Sequence, residues 1–246
     1  MIDSKDLAKY IRLKSVEMCC EGNSSHIGSI LSCADILSVL YSRVLNYNPK
    51  NPNFEHRDRF LLSKGHAGAG LYATLAKVGF LDESILETHY KNGSILSGHV
   101  CHKYFPGIEF STGSLGHGLP MALGMALSEQ ILDFRYRTYA LLSDGECNEG
   151  SIWEAAMLAS SLKLRKLTAI IDYNKWQATG RSEEIMSLEP LGDKWRSFGW
   201  DVQEIDGHNF EEIGKAFKIA RDQLNPSLII ANTVKGKGVS FMEDNN

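Results

Sequence analysis

Residues 143–174, SDGECNEGSIWEAAMLASSLKLRKLTAIIDYN, decide the fold of the chain. An apolar run, YALL at residues 139–142, precedes this stretch, and a second run, LTAII at residues 167–171, lies near its end. Alanine and leucine recur at helical spacing between the two runs, which predicts the order strand, turn, helix and strand. Such a βαβ unit places the carboxyl ends of two parallel strands at the same edge of a sheet.

Two side chains with oxygen atoms follow these strands. Asp144 comes just after the first strand, and Asn174 comes just after the second. Carboxylate and amide oxygens are hard ligands of the kind that Mg²⁺ or Ca²⁺ takes. Gly145 allows a ligand to approach the backbone closely, and the following helix directs its positive N-terminal end toward the same edge. The unit therefore predicts a site for a metal ion and a phosphate group.

Length and composition limit the class of protein. The chain has 246 residues, of which 43% are hydrophobic, and this is enough for the core of one α/β domain. We therefore expect a single domain over residues 1–246. The net charge is −4, so a broad cationic surface for nucleic acid is not expected.

The N-terminus and the cysteines bear on the cellular location. No apolar run approaches the roughly 18 residues of a membrane span, and the charged N-terminal helix lacks a signal-peptide core. The five cysteines include no CxxC pair. We therefore expect reduced thiols in a cytoplasmic protein with neither a zinc site nor a membrane partner.

Short apolar runs alternate with helical segments along the chain. Strands are predicted near residues 60, 138, 167, 200 and 228, and helices over residues 4–20, 32–41, 66–78, 119–132, 191–198 and 209–224. This order predicts an α/β fold with a parallel sheet and helices on both faces. The charged residues 181–189 are expected to form a mobile segment over the site.

Three histidines lie in glycine- or serine-containing loops. They are His26 in GNSSHIGS, His66 in LLSKGH and His99 in ILSGH. From the residue pattern alone, a loop histidine such as His26 is better explained as a capping or solvated side chain. A further turn, TGSLGHG at residues 112–118, precedes a helix and can bring backbone N–H groups to a ligand.

Several of these motifs resemble transketolase, and more closely the N-terminal subunit of a split transketolase. The matching patterns are S-x-H-x-G-S, DRF-x-LS-x-GH, EG-x-x-WEAAM-x-A and IIDYN-x-x-Q, in the order of that family. The resemblance runs from about residue 5 to residue 243 and implies the thiamine-diphosphate-binding fold, the diphosphate domain. The chain departs from the family at Ser143 (usually glycine), His117 (usually glutamine) and Val100 (usually proline).

The resemblance implies a role for each site residue. Asp144, Asn174 and the backbone carbonyl of Trp176 would hold Mg²⁺, with Ca²⁺ or Mn²⁺ as possible substitutes. The cofactor thiamine diphosphate would contact His66, Gly113, Ser114, Leu115, Gly145, Glu146 and Asn174. The catalytic candidates are His26, His66 and His99, because histidine can donate to sugar oxygens and transfer protons near neutral pH. Glu149 is either a favourable charge at a helix start or a carboxylate of the subunit interface.

The implied activity is transfer of a two-carbon ketol unit from a ketose to an aldose, with sugars or sugar phosphates as substrates. In this family, a second, pyrimidine-binding domain supplies the glutamate that activates the cofactor, and one domain has no room for it. We therefore expect the lone chain to be inactive and to need a C-terminal transketolase subunit, in an α2β2 heterotetramer. The Trp-His pair that follows KGKGVSFME in the family lies beyond Asn246, so the sequence is either truncated or lacks that histidine.

Other functions remain open. A split paralogue could act on a ketose with a sulfonate or a branched carbon, and the residues that select it would lie on the partner. A deoxyxylulose phosphate synthase-like or 2-oxo-acid dehydrogenase α-like subunit fits the motifs less well. A scaffold without chemistry is the third class, and the intact Asp144, Asn174 and three histidines argue against it.

Overall fold

The computed structural model describes residues 2–245. Its strands form one sheet and are β1 (Arg59–Leu62), β2 (Thr138–Ser143), β3 (Leu167–Tyr173), β4 (Asp201–Asp206) and β5 (Ser227–Asn232). The order in the sheet is β1-β2-β3-β5-β4, and each pairing is parallel. The predicted parallel sheet is therefore confirmed, with its strands close to the predicted positions.

Helices connect the strands. They are α1 (Ser4–Gly22), α2 (Ile27–Val39), α3 (Gly68–Lys77), α4 (Gly118–Leu132), α5 (Gly150–Ser161), α6 (Ser182–Met186), α7 (Leu191–Ser197) and α8 (Phe210–Asp222). A π turn, Leu40–Val44, continues α2, and 3-10 turns occupy Gly65–Ala67, Glu83–Thr88 and Gly145–Asn148. Two of these 3-10 turns follow β1 and β2, so the chain turns sharply where the strands end.

The helices cover both faces of the sheet, because successive strand residues point to opposite sides. In β1, Phe60 belongs to one buried cluster and Leu61 to the other. In β3, Ile170 and Ile171 are divided in the same way. Residues of α1, α2, α3 and α8 complete the first cluster, and residues of α4, α5 and α7 complete the second. Burial on both faces explains why the central strands are almost continuously apolar.

Helix α2 differs most from its prediction. It begins at Ile27 rather than at Ser32 and runs into the π turn. Within residues 2–245, Ile27–Val44 is the one helical stretch long and apolar enough to cross a membrane, with 18 residues and a mean hydropathy of 1.4. The expectation that no apolar run approaches this length is therefore wrong for this stretch. However, 72% of it is buried inside the structure, as is typical of a core helix.

The strand register brings the predicted ligands to one edge. Ser143, the last residue of β2, pairs with Asp172 of β3, which in turn pairs with Ala231 of β5. Asp144 and Asn174 therefore leave the sheet side by side. This is the carboxyl edge, where open α/β sheets commonly bind ligands.

Candidate active site

A cleft of about 860 Å³ opens at the carboxyl edge of the sheet. Most of the predicted site residues line it, namely His26, His66, His99, Gly113, Leu115, Asp144, Gly145, Glu149, Asn174 and Trp176. Ser114 and Glu146 are absent from its wall. The fold thus collects residues from loops that are far apart in the sequence into one concave site of the size that a cofactor needs.

Asp144 is a buried carboxylate at the floor of the cleft. It is 1% exposed, and its oxygens accept hydrogen bonds from the Gly145 amide at 2.9 Å and the Ser182 hydroxyl at 2.8 Å. Burial raises the pKa of Asp144 to about 6, because these neutral donors offset the lost hydration only in part. A cation placed beside this carboxylate would stabilise its charged form.

Asn174 stands next to Asp144 with its amide fixed at both ends. Its Oδ1 accepts from the Trp176 amide at 3.0 Å, and its Nδ2 donates to Ser32 at 3.3 Å and to Asp172 at 3.4 Å. Within residues 2–245, no group of three or more His, Cys, Asp or Glu side chains is arranged to hold a metal ion. A metal at Asp144 and Asn174 would therefore need further oxygen ligands, such as the backbone carbonyl of Trp176, phosphate or water, as is usual for Mg²⁺.

The glycine-rich turn before α4 forms another wall. A Cβ atom at Gly113 would lie 3.3 Å from the ring of His99. Gly116 has a φ of +86°, and a Cβ there would lie 2.7 Å from Glu149 and Ser151, so both the conformation and the space require glycine. The turn therefore lies close against its neighbours and leaves its backbone accessible at Gly113.

Glu146 supports this turn from below. Its carboxylate is 0% exposed and accepts from the Ser63 hydroxyl and from the backbone N–H groups of Gly116 and Ser143, both at 3.0 Å. Burial raises its pKa. Glu146 thus joins the glycine-rich turn to the end of β2, and its carboxylate lies under the cleft. A cofactor contact of Glu146 or Ser114 stays a prediction.

The three histidines form a cluster at one side of the cleft. The ring centroid of His26 lies 5.3 Å from that of His66 and 6.1 Å from that of His99. Burial, followed by the charge of Lys64, lowers the pKa of His66 to about 2. Burial and the neighbouring His99 also lower the pKa of His26. Near neutral pH, His26 and His66 therefore carry no charge, and each imidazole keeps one hydrogen-bond donor and one acceptor.

Trp176 connects the cleft to the C-terminal part of the chain. The Arg181 guanidinium lies 4.0 Å from the centroid of its ring, and the Lys235 ammonium lies 5.6 Å away. Asp244 accepts from the indole N–H at 3.0 Å and from Arg181 at 2.6 Å. The segment that begins at Arg181 thus contains α6 and is attached to the site, while its predicted mobility stays a prediction.

A buried ion pair that the sequence motifs do not predict lies beneath the cleft. Lys64 and Asp172 are both 0% exposed, and Lys64 donates to the Asp172 carboxylate and to the Ser29 carbonyl at 2.9 Å. The sequence did contain a signal, since Asp172 is the one charged residue in the otherwise apolar strand LTAIIDY. A charge in a buried strand requires a partner.

Comparison with known proteins gives the family. The model of the family described as "Transketolase, thiamine diphosphate binding domain" matches residues 3–246. The 6-deoxy-6-sulfo-D-fructose transketolase subunit SqwG of Clostridium sp. (strain MSTE9) is 46% identical over 98% of this chain and 88% of its own length. An apulose-4-phosphate transketolase subunit of Phocaeicola vulgatus is 46% identical over 94% of this chain and 83% of its own length.

Solved structures agree with this match. The transketolase of Campylobacter jejuni superimposes with a TM-score of 0.94 and 34% identity over 99% of this chain. The chain spans 40% of that enzyme, and it spans 38% of human transketolase, to which it is 41% identical. The glycine-rich turn, the pair Asp144 and Asn174, and the histidine cluster are thus found in a chain that matches this family over residues 3–246. The chain therefore belongs to the transketolase family and matches the thiamine diphosphate-binding domain of its members.

Proposed function

We propose that this chain is the N-terminal, diphosphate-binding subunit of a two-chain transketolase that transfers a two-carbon ketol unit from a ketose to an aldose. One observation carries the proposal: a buried carboxylate, an amide, a glycine-rich turn and three histidines meet in one cleft. The names of the two relatives at 46% identity, each called a transketolase subunit, support the two-chain organisation.

The residues of the cleft fit thiamine diphosphate and Mg²⁺. Asp144 and Asn174 would hold the metal with the backbone carbonyl of Trp176, and Gly113 and Leu115 would lie against the diphosphate. Ca²⁺ or Mn²⁺ would serve the same oxygen ligands. The desolvated Asp144 carboxylate is the observation that favours a cation, since burial raises its pKa to about 6. When bound, the cofactor supplies the electron sink that allows a carbon–carbon bond beside a carbonyl to be broken and remade.

The histidines would bind the sugar. His26 and His66 are uncharged, so they can donate to or accept from sugar hydroxyls without the cost of burying a charge. His99 completes the wall that faces them. A cluster of this kind suits the orientation of a polyhydroxy chain and the movement of protons between its oxygens.

The partner would supply the pyrimidine-binding part of the active site. We infer a C-terminal subunit with the pyrimidine-binding domain, in an α2β2 heterotetramer. Glu149 is exposed at the rim of the cleft and would face that subunit. A ketose with a sulfonate or a branched carbon is the second candidate substrate class, because the names of the two relatives specify 6-deoxy-6-sulfofructose and apulose 4-phosphate.

Reconstitution tests the proposal. The chain is assayed for ketol transfer alone and with the chain encoded beside it, with and without thiamine diphosphate and Mg²⁺. The donors are a ketose phosphate, 6-deoxy-6-sulfofructose and apulose 4-phosphate. We expect transfer only with both chains, the cofactor and the metal, and the preferred donor identifies the substrate class. Full activity of the lone chain would refute the two-chain organisation.

A further inference from the structure

Asp172 is the centre of a buried hydrogen-bond network below the cleft. Its carboxylate accepts from the Lys64 ammonium, the Ser32 hydroxyl at 2.6 Å and the Thr233 hydroxyl. The fourth donor is the Asn174 amide at 3.4 Å. The carboxylate thus connects α2, the end of β1, β3 and the segment after β5.

Two residues of the network are close in sequence to residues that line the cleft. Lys64 lies two residues before His66, and Thr233 lies two residues before Lys235. Both His66 and Lys235 line the cleft. A displacement of Asp172 would therefore be transmitted to several walls of the cleft, and most directly to Asn174, which touches it.

The contacts determine which end of the Asn174 amide faces the cleft. A carboxylate only accepts hydrogen bonds, so the NH₂ group of Asn174 must face Asp172. Ser32 donates its proton to Asp172 and is thus left as an acceptor toward the same NH₂ group, at 3.3 Å. The amide oxygen is consequently held on the opposite side, where it accepts from the Trp176 amide.

We propose that Lys64 and Asp172 position Asn174 for metal binding: Asp172 holds the amide NH₂ group, and Lys64 balances the buried negative charge of Asp172. The inference rests on the proposed function, because it takes Asn174 as a ligand of Mg²⁺. Lys64 donates to both the Asp172 carboxylate and the Ser29 carbonyl, so it also fixes the position of the carboxylate that holds Asn174. Replacing a residue that orients a metal ligand through a hydrogen bond typically lowers the metal affinity about 10–100-fold.

Two variants in the assembled complex test the inference. Lys64→Met removes the cation, and Lys64→Met/Asp172→Asn removes both charges. Mg²⁺ and thiamine diphosphate binding are measured by isothermal titration calorimetry, and the unfolding midpoint is measured on the same samples. We expect Mg²⁺ to bind at least about tenfold more weakly to both variants.

The double variant separates positioning from stability. It contains no unpaired charge, so its unfolding midpoint should return most of the way to that of the wild type. An asparagine at position 172 can present either its oxygen or its NH₂ group to Asn174, so the weak Mg²⁺ binding should persist. Recovery of the affinity together with the midpoint would overturn the inference. If Lys64→Met fails to fold, the double variant alone decides.

Lys166→Met is the matched control. Lys166 pairs with Glu129 just before β3 begins, at the opposite end of the strand that leads to Asp172. We expect this variant to lower the unfolding midpoint and leave Mg²⁺ binding unchanged. If the wild-type complex binds neither Mg²⁺ nor the cofactor, the proposed function fails as well. If the wild type binds both and the Lys64 variants bind equally well, only the positioning role is refuted.

Discussion

Asp172 and Glu146 are two buried carboxylates under the same cleft, and their surroundings differ. Both are 0% exposed. Asp172 meets the ammonium of Lys64 and supports the side chain of Asn174. Glu146 meets a hydroxyl and two backbone N–H groups, those of Gly116 and Ser143.

The difference shows that a buried carboxylate can hold either backbone groups or a side chain in place. Glu146 fastens backbone segments, for which the geometry of its two oxygens matters most, and burial raises its pKa because neutral donors offset the lost hydration only in part. Asp172 accepts from the NH₂ group of Asn174, and the cation of Lys64 stabilises the buried negative charge of this carboxylate. The two centres should therefore respond differently to substitution.

The largest effect is expected at the ion pair. Asp172→Asn leaves Lys64 as an unpaired buried cation, and this should lower the free energy of unfolding by about 3–5 kcal/mol. Urea denaturation of the purified chain measures the loss. A loss below about 1 kcal/mol, the range of surface pairs, would mean that the pair is not effectively buried in solution.

A smaller loss is expected at Glu146. Glu146→Gln keeps the size of the side chain but offers one acceptor oxygen instead of two, so the N–H of Gly116 or Ser143 loses its partner. The expected cost is about 1–3 kcal/mol in the same denaturation experiment. Glu154→Gln, an exposed position on α5, is the control and should be neutral. If Glu146→Gln lowers the free energy of unfolding as much as Asp172→Asn does, the two buried carboxylates do not differ in the way proposed.

The third effect depends on pH and concerns His66, which lies two residues after Lys64. Burial and the Lys64 charge lower the pKa of His66 to about 2. The folded state therefore keeps His66 neutral while the unfolded chain takes up a proton below about pH 6.5, and this group makes stability fall as the pH decreases. The slope is about 1.4 kcal/mol per pH unit below that point.

Denaturation of the wild type and of His66→Gln at pH 6.5 and pH 5 measures this contribution. The variant should lose less stability over the interval than the wild type does. Identical losses in the two proteins would show that His66 titrates normally in the folded state.

The smallest effect is expected at Ser143, where the family usually has glycine. Ser143→Gly keeps the backbone N–H that Glu146 accepts, so the turn stays fastened. The added backbone freedom should cost about 0.5–1 kcal/mol. Cofactor binding by calorimetry should be unchanged in the assembled complex, and a clear loss would give the serine hydroxyl a role that the Glu146 contact does not explain.

Local signals were sufficient to predict the sheet and to place Asp144 and Asn174 at its carboxyl edge. Apolar runs mark β2 and β3, and Asp144 and Asn174 follow from the point at which those runs end. The sequence does not predict the start of α2 at Ile27, because Gly28 and Ser29 favour a turn by composition. In the folded chain, packing of α2 against α1 and α3 overrides that preference.

The buried ion pair could not be predicted in the same way. Lys64 and Asp172 are 108 residues apart in sequence, so their contact depends on how the strands are ordered in the sheet. The order itself, with β5 between β3 and β4, is not encoded in any single motif. Sequence patterns therefore indicate which residues are unusual for their position, and the strand order of the sheet determines which of them are in contact.

The position of β5 has a consequence for synthesis on the ribosome. Within residues 2–245, β4 pairs with β5 and with no other strand, although β4 is made first. Thr233 follows Asp172 by 61 residues, which corresponds to about 3–12 s of translation. During that interval Asp172 lacks one of its donors, and in the later part of it the nascent chain also carries β4 without a neighbour. A pause in translation before β5 would prolong the exposure of an unpaired strand edge, the feature that invites aggregation.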